Sequence, residues 1–314
     1  MQRAYLLMFI EDMKKYLAII GTMIAWCPTA YCQTNLRILD EVSGIPVPYA
    51  NIIYGNDMGR YADESGTVLI PDGVTSFEIS HISYEPKNVS LHDITDDTIL
   101  LRPLINELQP SIVVPGKHRK VRTGFASDKG ALCEGGRNGY SVAEHFAYNT
   151  EWNKIPLITR IEMNLNSVWM KRQATVTLAD GSTYNDGKMI MAKLRVDLRA
   201  VDSMTGAPGR SLINGGIIYD LGERFNLNVR KVHSIPIKNP LPFPEDGIFV
   251  VLEWIVPGEV RIQDTVTPSI WCSEPNGKKD SWNKWPVGSD WKRAHNIPEG
   301  DTGYSYCISL DLSQ

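Results

Sequence analysis

The stretch Lys193-Leu194-Arg195-Val196-Asp197-Leu198-Arg199 alternates strictly between apolar and charged residues. Successive side chains of a β-strand point to opposite faces, so this reads as an antiparallel strand with its leucines and valine on a core and its charges in water. Further along, Ile248-Phe249-Val250-Val251-Leu252 is continuous and apolar, which predicts a central strand covered on both faces. Other strand-like segments run from 157 to 165, 189 to 201, 211 to 219, 225 to 232, 269 to 272 and 304 to 312. Asp180-Gly181, Asn185-Asp186-Gly187, Thr205-Gly206-Ala207-Pro208-Gly209 and Asp246-Gly247 punctuate them as turns. The 25 glycines and 19 prolines are spread along all 314 residues, which suits short strands and tight turns better than long helices.

The first third of the chain carries the same signature at shorter spacing. Leu36-Arg37-Ile38-Leu39-Asp40 alternates and stops at Asp40-Glu41-Val42-Ser43-Gly44, and Phe77-Glu78-Ile79-Ser80-His81-Ile82 alternates with period two. Pro46 and Pro48 confine their segment to an edge or a bend. Asp63-Glu64-Ser65-Gly66 is turn chemistry, with Gly66 supplying a positive φ. Short strands every 8–12 residues predict a β-sandwich.

The order Asp40…Ser43-Gly44-x-Pro46, then Ala50-Asn51-Ile52, then Ala62-Asp63-Glu64-x-Gly66, then Ile79-Ser80-His81-Ile82-Ser83-Tyr84-Glu85 resembles the carboxypeptidase-regulatory-like domain of exported Bacteroidetes proteins. The family's closing strand looks like Leu108 to Val114, and Ser83 stands where the family usually has glycine before the tyrosine. The resemblance implies a transthyretin-like sandwich of about seven strands. It also implies an accessory module rather than a peptidase. Zinc exopeptidases need a His-x-x-Glu pair, and none of His81, His92, His118, His145, His233 and His295 has Glu three residues later. No metal and no cofactor is expected.

The expected organisation is therefore all-β. A signal segment over 1–32 leads into an N-terminal transthyretin-like sandwich over 33–114. A linker over 115–140 follows, and then a larger jelly-roll-like β-sandwich over 141–314. The second sandwich resembles galactose-binding-like modules through Leu194-Arg195-Val196, the Gly206-x-Pro208-Gly209 turn and the late Gly247 to Trp254 strand. Lys14-Lys15, the apolar run from Tyr16 to Trp26, and Ala30 and Cys32 before Gln33 form the n-region, h-region and cleavage pattern of a secretory signal, with Met1 or Met13 as its start. Eleven apolar residues fall short of the about 20 that span a bilayer, so the mature chain is expected to have no transmembrane span. Trp26 and Tyr31, directly before Cys27 and Cys32, disfavour a lipid anchor. Export places the protein in the periplasm or at the outer membrane and cell surface.

A net charge of −4 and a pI near 5.9 argue against nucleic acid as a partner. Lys117-His118-Arg119-Lys120-Val121-Arg122 reads as a solvated linker or as a docking patch for anions, and charge runs favour the former. Cleavage leaves Cys133, Cys272 and Cys307, which allow one bridge, Cys272 with Cys307, or three thiols.

The densest chemical oddity is aromatic. Trp271, Trp282, Trp285 and Trp291 are interleaved with Lys278, Lys279, Lys284, Lys292 and Arg293. Exposed indoles stack on sugar rings, so these four are candidate ligand-binding residues; alternatively they plug the open end of a sandwich. Asp301-Thr302-Gly303 copies an aspartic-protease triplet without the second copy that chemistry needs. Gly139-Tyr140-Ser141-Val142-Ala143 approaches a nucleophile elbow but ends in alanine. No complete catalytic set is assembled. The expected function is non-catalytic binding or assembly at the cell envelope, with an envelope protein or a glycan as partner. The alternatives are carbohydrate capture through the tryptophans, or hydrolysis at an unfamiliar site.

Overall fold

A computed structural model describes residues 34–55, 58–104, 119–126, 130, 132–134, 136–166, 176–177, 183–184, 191–221, 231–258, 266–273, 280–285, 288–294 and 303–314. The signal segment, the closing strand read over Leu108 to Val114, Lys117-His118, most of the 225–232 segment and Asp301-Thr302 lie outside them. The described residues form strands throughout, with one 3-10 turn at Leu91–Asp93 and no α-helix. No helix among them is long and apolar enough to cross a membrane.

The N-terminal body is a sandwich of seven strands: β1 (Thr34–Asp40), β2 (Asn51–Tyr54), β3 (Met58–Tyr61), β4 (Thr67–Ile70), β5 (Ser76–His81), β6 (Tyr84–Ser90) and β7 (Thr98–Leu101). A three-stranded sheet, β4-β1-β7, faces a four-stranded one, β3-β2-β5-β6. Leu36, Ile38, Ile52, Ile70, Ile79 and Leu101 fill the space between them. The alternation in β1 works as read from sequence, because only every second residue reaches the core. The Asp63 carboxylate accepts N–H bonds from Ser65 and Thr67 and so shapes the turn. Gly66 sits there at φ +71°, where a Cβ would lie 2.7 Å from the Ile38 carbonyl oxygen. Only glycine fits that position.

The second body opens with β8 (Lys120–Gly124), β9 (Leu132–Glu134), β10 (Ser141–Phe146) and β11 (Leu157–Asn166). A short hairpin, β12 (Val176–Thr177) with β13 (Thr183–Tyr184), follows. Next come β14 (Lys193–Val201), β15 (Pro208–Ser211), β16 (Ile217–Tyr219), β17 (Lys231–Pro242) and β18 (Ile248–Ile255). The last four are β19 (Ser269–Cys272), β20 (Ser281–Lys284), β21 (Lys292–Arg293) and β22 (Ile308–Ser313). One sheet runs β15-β14-β18-β10-β20-β21 with β16 beside β14; the other runs β8-β22-β11-β19-β9 with β17 beside β11. Leu194, Val196 and Leu198 of β14 meet Ile158, Ile161 and Met163 of β11 in the core between the sheets.

Two features go beyond the sequence reading. The stretch read as a linker supplies β8 and β9, which end the β8-β22-β11-β19-β9 path of the second sheet. Arg122, from the basic run, is neutralised there by Asp311 at 2.8 Å and Glu162 at 3.0 Å. The charged face of β14 is also not in water: Arg195 is 3% exposed and Asp197 1%. The N-terminal sandwich packs against that face, with Tyr49 and Tyr61 resting on Ile255 and Ile218. Ile248–Ile255 is buried at all eight positions, as its continuous apolar run requires.

Candidate functional site

The seam between the two bodies is built on one cross-strand row. Ile218, Arg195, Glu253, Ser141 and Lys284 stand side by side across β16, β14, β18, β10 and β20. The Arg195 Nη1 donates to Glu253 Oε2 at 2.9 Å, and its Nη2 donates to the Tyr49 carbonyl oxygen at 2.9 Å. From the other body, the Tyr61 hydroxyl donates to Glu253 Oε1 at 3.1 Å. Burial, and then the Glu253 charge, push the Tyr61 hydroxyl well above its ordinary pKa, so it stays a donor. Tyr49 adopts φ 56°, in the left-handed region that a bulky residue enters at a cost of about 1–3 kcal/mol. Its hydroxyl accepts from Lys193 Nζ at 2.9 Å, and Lys193 also pairs with Glu64. That hydrogen bond to Glu64 is the main reason the Lys193 ammonium is held above its usual range.

Beside this lock lies a cleft of about 520 Å³, a size typical of small-ligand pockets. Asp40, Tyr49, His81, Ser83, Tyr84 and Leu104 line it from the first body, and Arg195, Asn214, Gly215 and Ile218 from the second. The Tyr84 hydroxyl donates to Asp40 Oδ2 at 3.0 Å. Burial, helped by the Asp40 charge, pushes that tyrosine up to about 12. The Ser43 N–H is the largest influence holding Asp40 below the ordinary carboxylate value. Burial, and then the Arg195 charge, push His81 well below its ordinary value, so its ring is neutral. The Ser83 N–H donates to His81 Nδ1 at 3.2 Å, which leaves the proton on Nε2 as the ring's donor. The walls thus offer a neutral imidazole, a tyrosine and a carboxylate already committed to its own turn. Such an arrangement orients a polar guest. Asp40 and Tyr84, which belong to the sequence resemblance, meet here, although nothing in the sequence places Arg195 on the same cleft.

The four tryptophans do not form one platform. Trp271 is half-buried on β19, in the second sheet, where it packs over Gly130. Trp282 is buried on β20 of the first sheet, in a cluster with Ala143, Phe249 and Val251 that Trp291 joins. Cations of the same chain cover three of the rings: Arg293 over Trp282 at 4.7 Å, Lys284 over Trp291 at 5.1 Å, and Arg137 over Trp285 at 5.2 Å. Ser141 is buried at the first position of β10 and leads into a strand, not into a helix. Cys133, Cys272 and Cys307 form no disulfide.

Sequence reasoning missed a buried acid. Glu144 is 1% exposed, with Oε2 accepting from Ser281 Oγ at 2.6 Å and from the Tyr306 N–H at 2.9 Å. Burial pushes it up to about 8. The signal lay in Val142-Ala143-Glu144-His145-Phe146, whose alternation puts Glu144 on the apolar face. Nearby, Glu134 accepts hydrogen bonds from the Tyr140 and Tyr304 hydroxyls and from Asn283 Nδ2. Among the described residues no group of His, Cys, Asp and Glu is placed to hold a metal ion.

No family model matches the chain, and no curated protein or solved structure does either.

Proposed function

We propose that the protein is an exported, non-catalytic binding or assembly protein of the cell envelope, gripping its partner in the cleft between its two sandwiches. The N-terminal sandwich, on this reading, is a carboxypeptidase-regulatory-like module and the second a jelly-roll-like one. The cleft carries the reading: both bodies contribute its walls, and the Arg195–Glu253–Tyr61 lock beside it fixes their spacing. Pre-organised walls save the ordering cost that a loose pair of domains would bear on binding. Glycan capture by the tryptophans finds less support, since cations of the chain itself lie over three of the four rings.

The experiment is site-specific photo-crosslinking in intact cells. A crosslinker at Leu104, on the cleft wall, is expected to give one discrete adduct in the envelope fraction. The same group at Met204, 93% exposed on the turn before β15, is expected to give none. Identical labelling from both positions, or a chain found only in the cytosol, would overturn the proposal.

A further inference from the structure

A second, much smaller cavity lies behind the cleft, under Ile82 of the N-terminal body. It measures about 20 Å³, room for a single water-sized occupant. Its walls hold three cations, Arg195, Arg199 and Lys284, and two carboxylates, Asp197 and Glu253. The carboxylates are taken: Glu253 pairs with Arg195 and Asp197 with Arg199, each at 2.9 Å, and Asp197 also accepts from the Ser211 hydroxyl at 2.7 Å. Lys284 is left over. Its ammonium lies over the Trp291 ring, and no carboxylate among the described residues comes within ion-pairing distance of it.

A charge largely withdrawn from water is costly unless something compensates it. We propose that this cavity binds a small monovalent anion of chloride size, held by Lys284 and the edges of Arg195 and Arg199, with the Ser141 hydroxyl as a further donor. An occupant of charge −1 balances the five wall charges. A larger oxyanion does not fit the volume. Because Ile82 closes the cavity from the other body, only the assembled seam offers the site, so the anion stabilises the folded state by mass action.

The titration of Lys284 supports this. Burial, and then the Arg199 charge, push it down to about 8, with Arg195 opposing and Glu253 favouring the proton. Ile82, Ser141, Val251 and Trp291, the remaining residues that line the cavity, carry no charge. A bound anion favours the ammonium, so affinity should fall as pH rises through about 8.

The test is urea unfolding at pH 7 in sodium chloride against sodium gluconate at equal ionic strength, gluconate being too large to enter. At chloride near 100 times its dissociation constant, the folded-to-unfolded ratio should rise about a hundredfold over gluconate. Lys284→Met should abolish the difference, and Lys284→Arg should keep most of it. Equal stability in the two salts, or a chloride effect that survives in K284M, would overturn the proposal. If K284M fails to fold, the chloride NMR linewidth of the native protein decides. Broadening that disappears as pH rises through 8 supports the site, and broadening that is absent or insensitive to pH refutes it.

Discussion

The two faces of β14 are both removed from water, yet for opposite reasons. Leu194, Val196 and Leu198 face the core between the sheets, where attraction is non-directional and depends on filled volume. Arg195 and Asp197 face the N-terminal sandwich, where each buried charge must find a partner at a fixed angle. Equal burial therefore does not mean equal tolerance. The inner face specifies that the strand is covered; the outer face specifies what covers it.

Arg195→Met should break the outer face most severely, since it leaves Glu253 buried with Tyr61 as its remaining partner. Losing one member of a buried pair costs about 3–5 kcal/mol, which urea unfolding measures. Adding Glu253→Leu should recover most of that loss. A double variant no better than the single one would show that packing, and not charge, holds the seam.

Glu144 is the inner face's exception, and pH exposes it. Its folded value, raised to about 8, lies above the 4.5 of an ordinary glutamate. The neutral acid is the folded form, so its contribution is complete below about pH 4.5 and is lost as pH climbs through 8. Glu144→Gln, which keeps an acceptor for Ser281 and Tyr306, should remove that part of the decline when stability is measured from pH 5 to 9. An unchanged slope would place the sensitivity elsewhere. The smallest effect belongs to Leu198→Met, which keeps volume on the apolar face and should cost less than about 1.5 kcal/mol. A loss approaching that of R195M would erase the contrast between the faces.

Much of the fold was legible from residues alone. Alternation placed β1, β5 and β14 on sheets, the unbroken run at 248–252 marked a strand buried on both sides, and Gly66 announced its turn. Each is a local signal that neighbouring residues satisfy among themselves. The charges of β14 were misread because period-two alternation says which residues share a face and not what lies opposite. What lies opposite is Tyr49 and Tyr61, more than a hundred positions earlier, and no short-range pattern links them. β8 was hidden for a similar reason: a basic run looks solvated until Asp311, near the other end of the chain, is laid beside it. The cleft drew its walls from both bodies, and only the first body's share, Asp40 with His81, Ser83 and Tyr84, was visible as a motif. The tryptophans stood out by number, but numbers do not reveal that a cation covers each of three rings.

The hydroxyl of Tyr61 reaches a carboxylate 192 positions downstream. A recombination event that swapped either half for a foreign module would strand one member of that pair, so these two bodies are bound to be inherited together. Descendants of this chain should then record the union as correlated change: a drift at Glu253 answered at Tyr61 and Arg195.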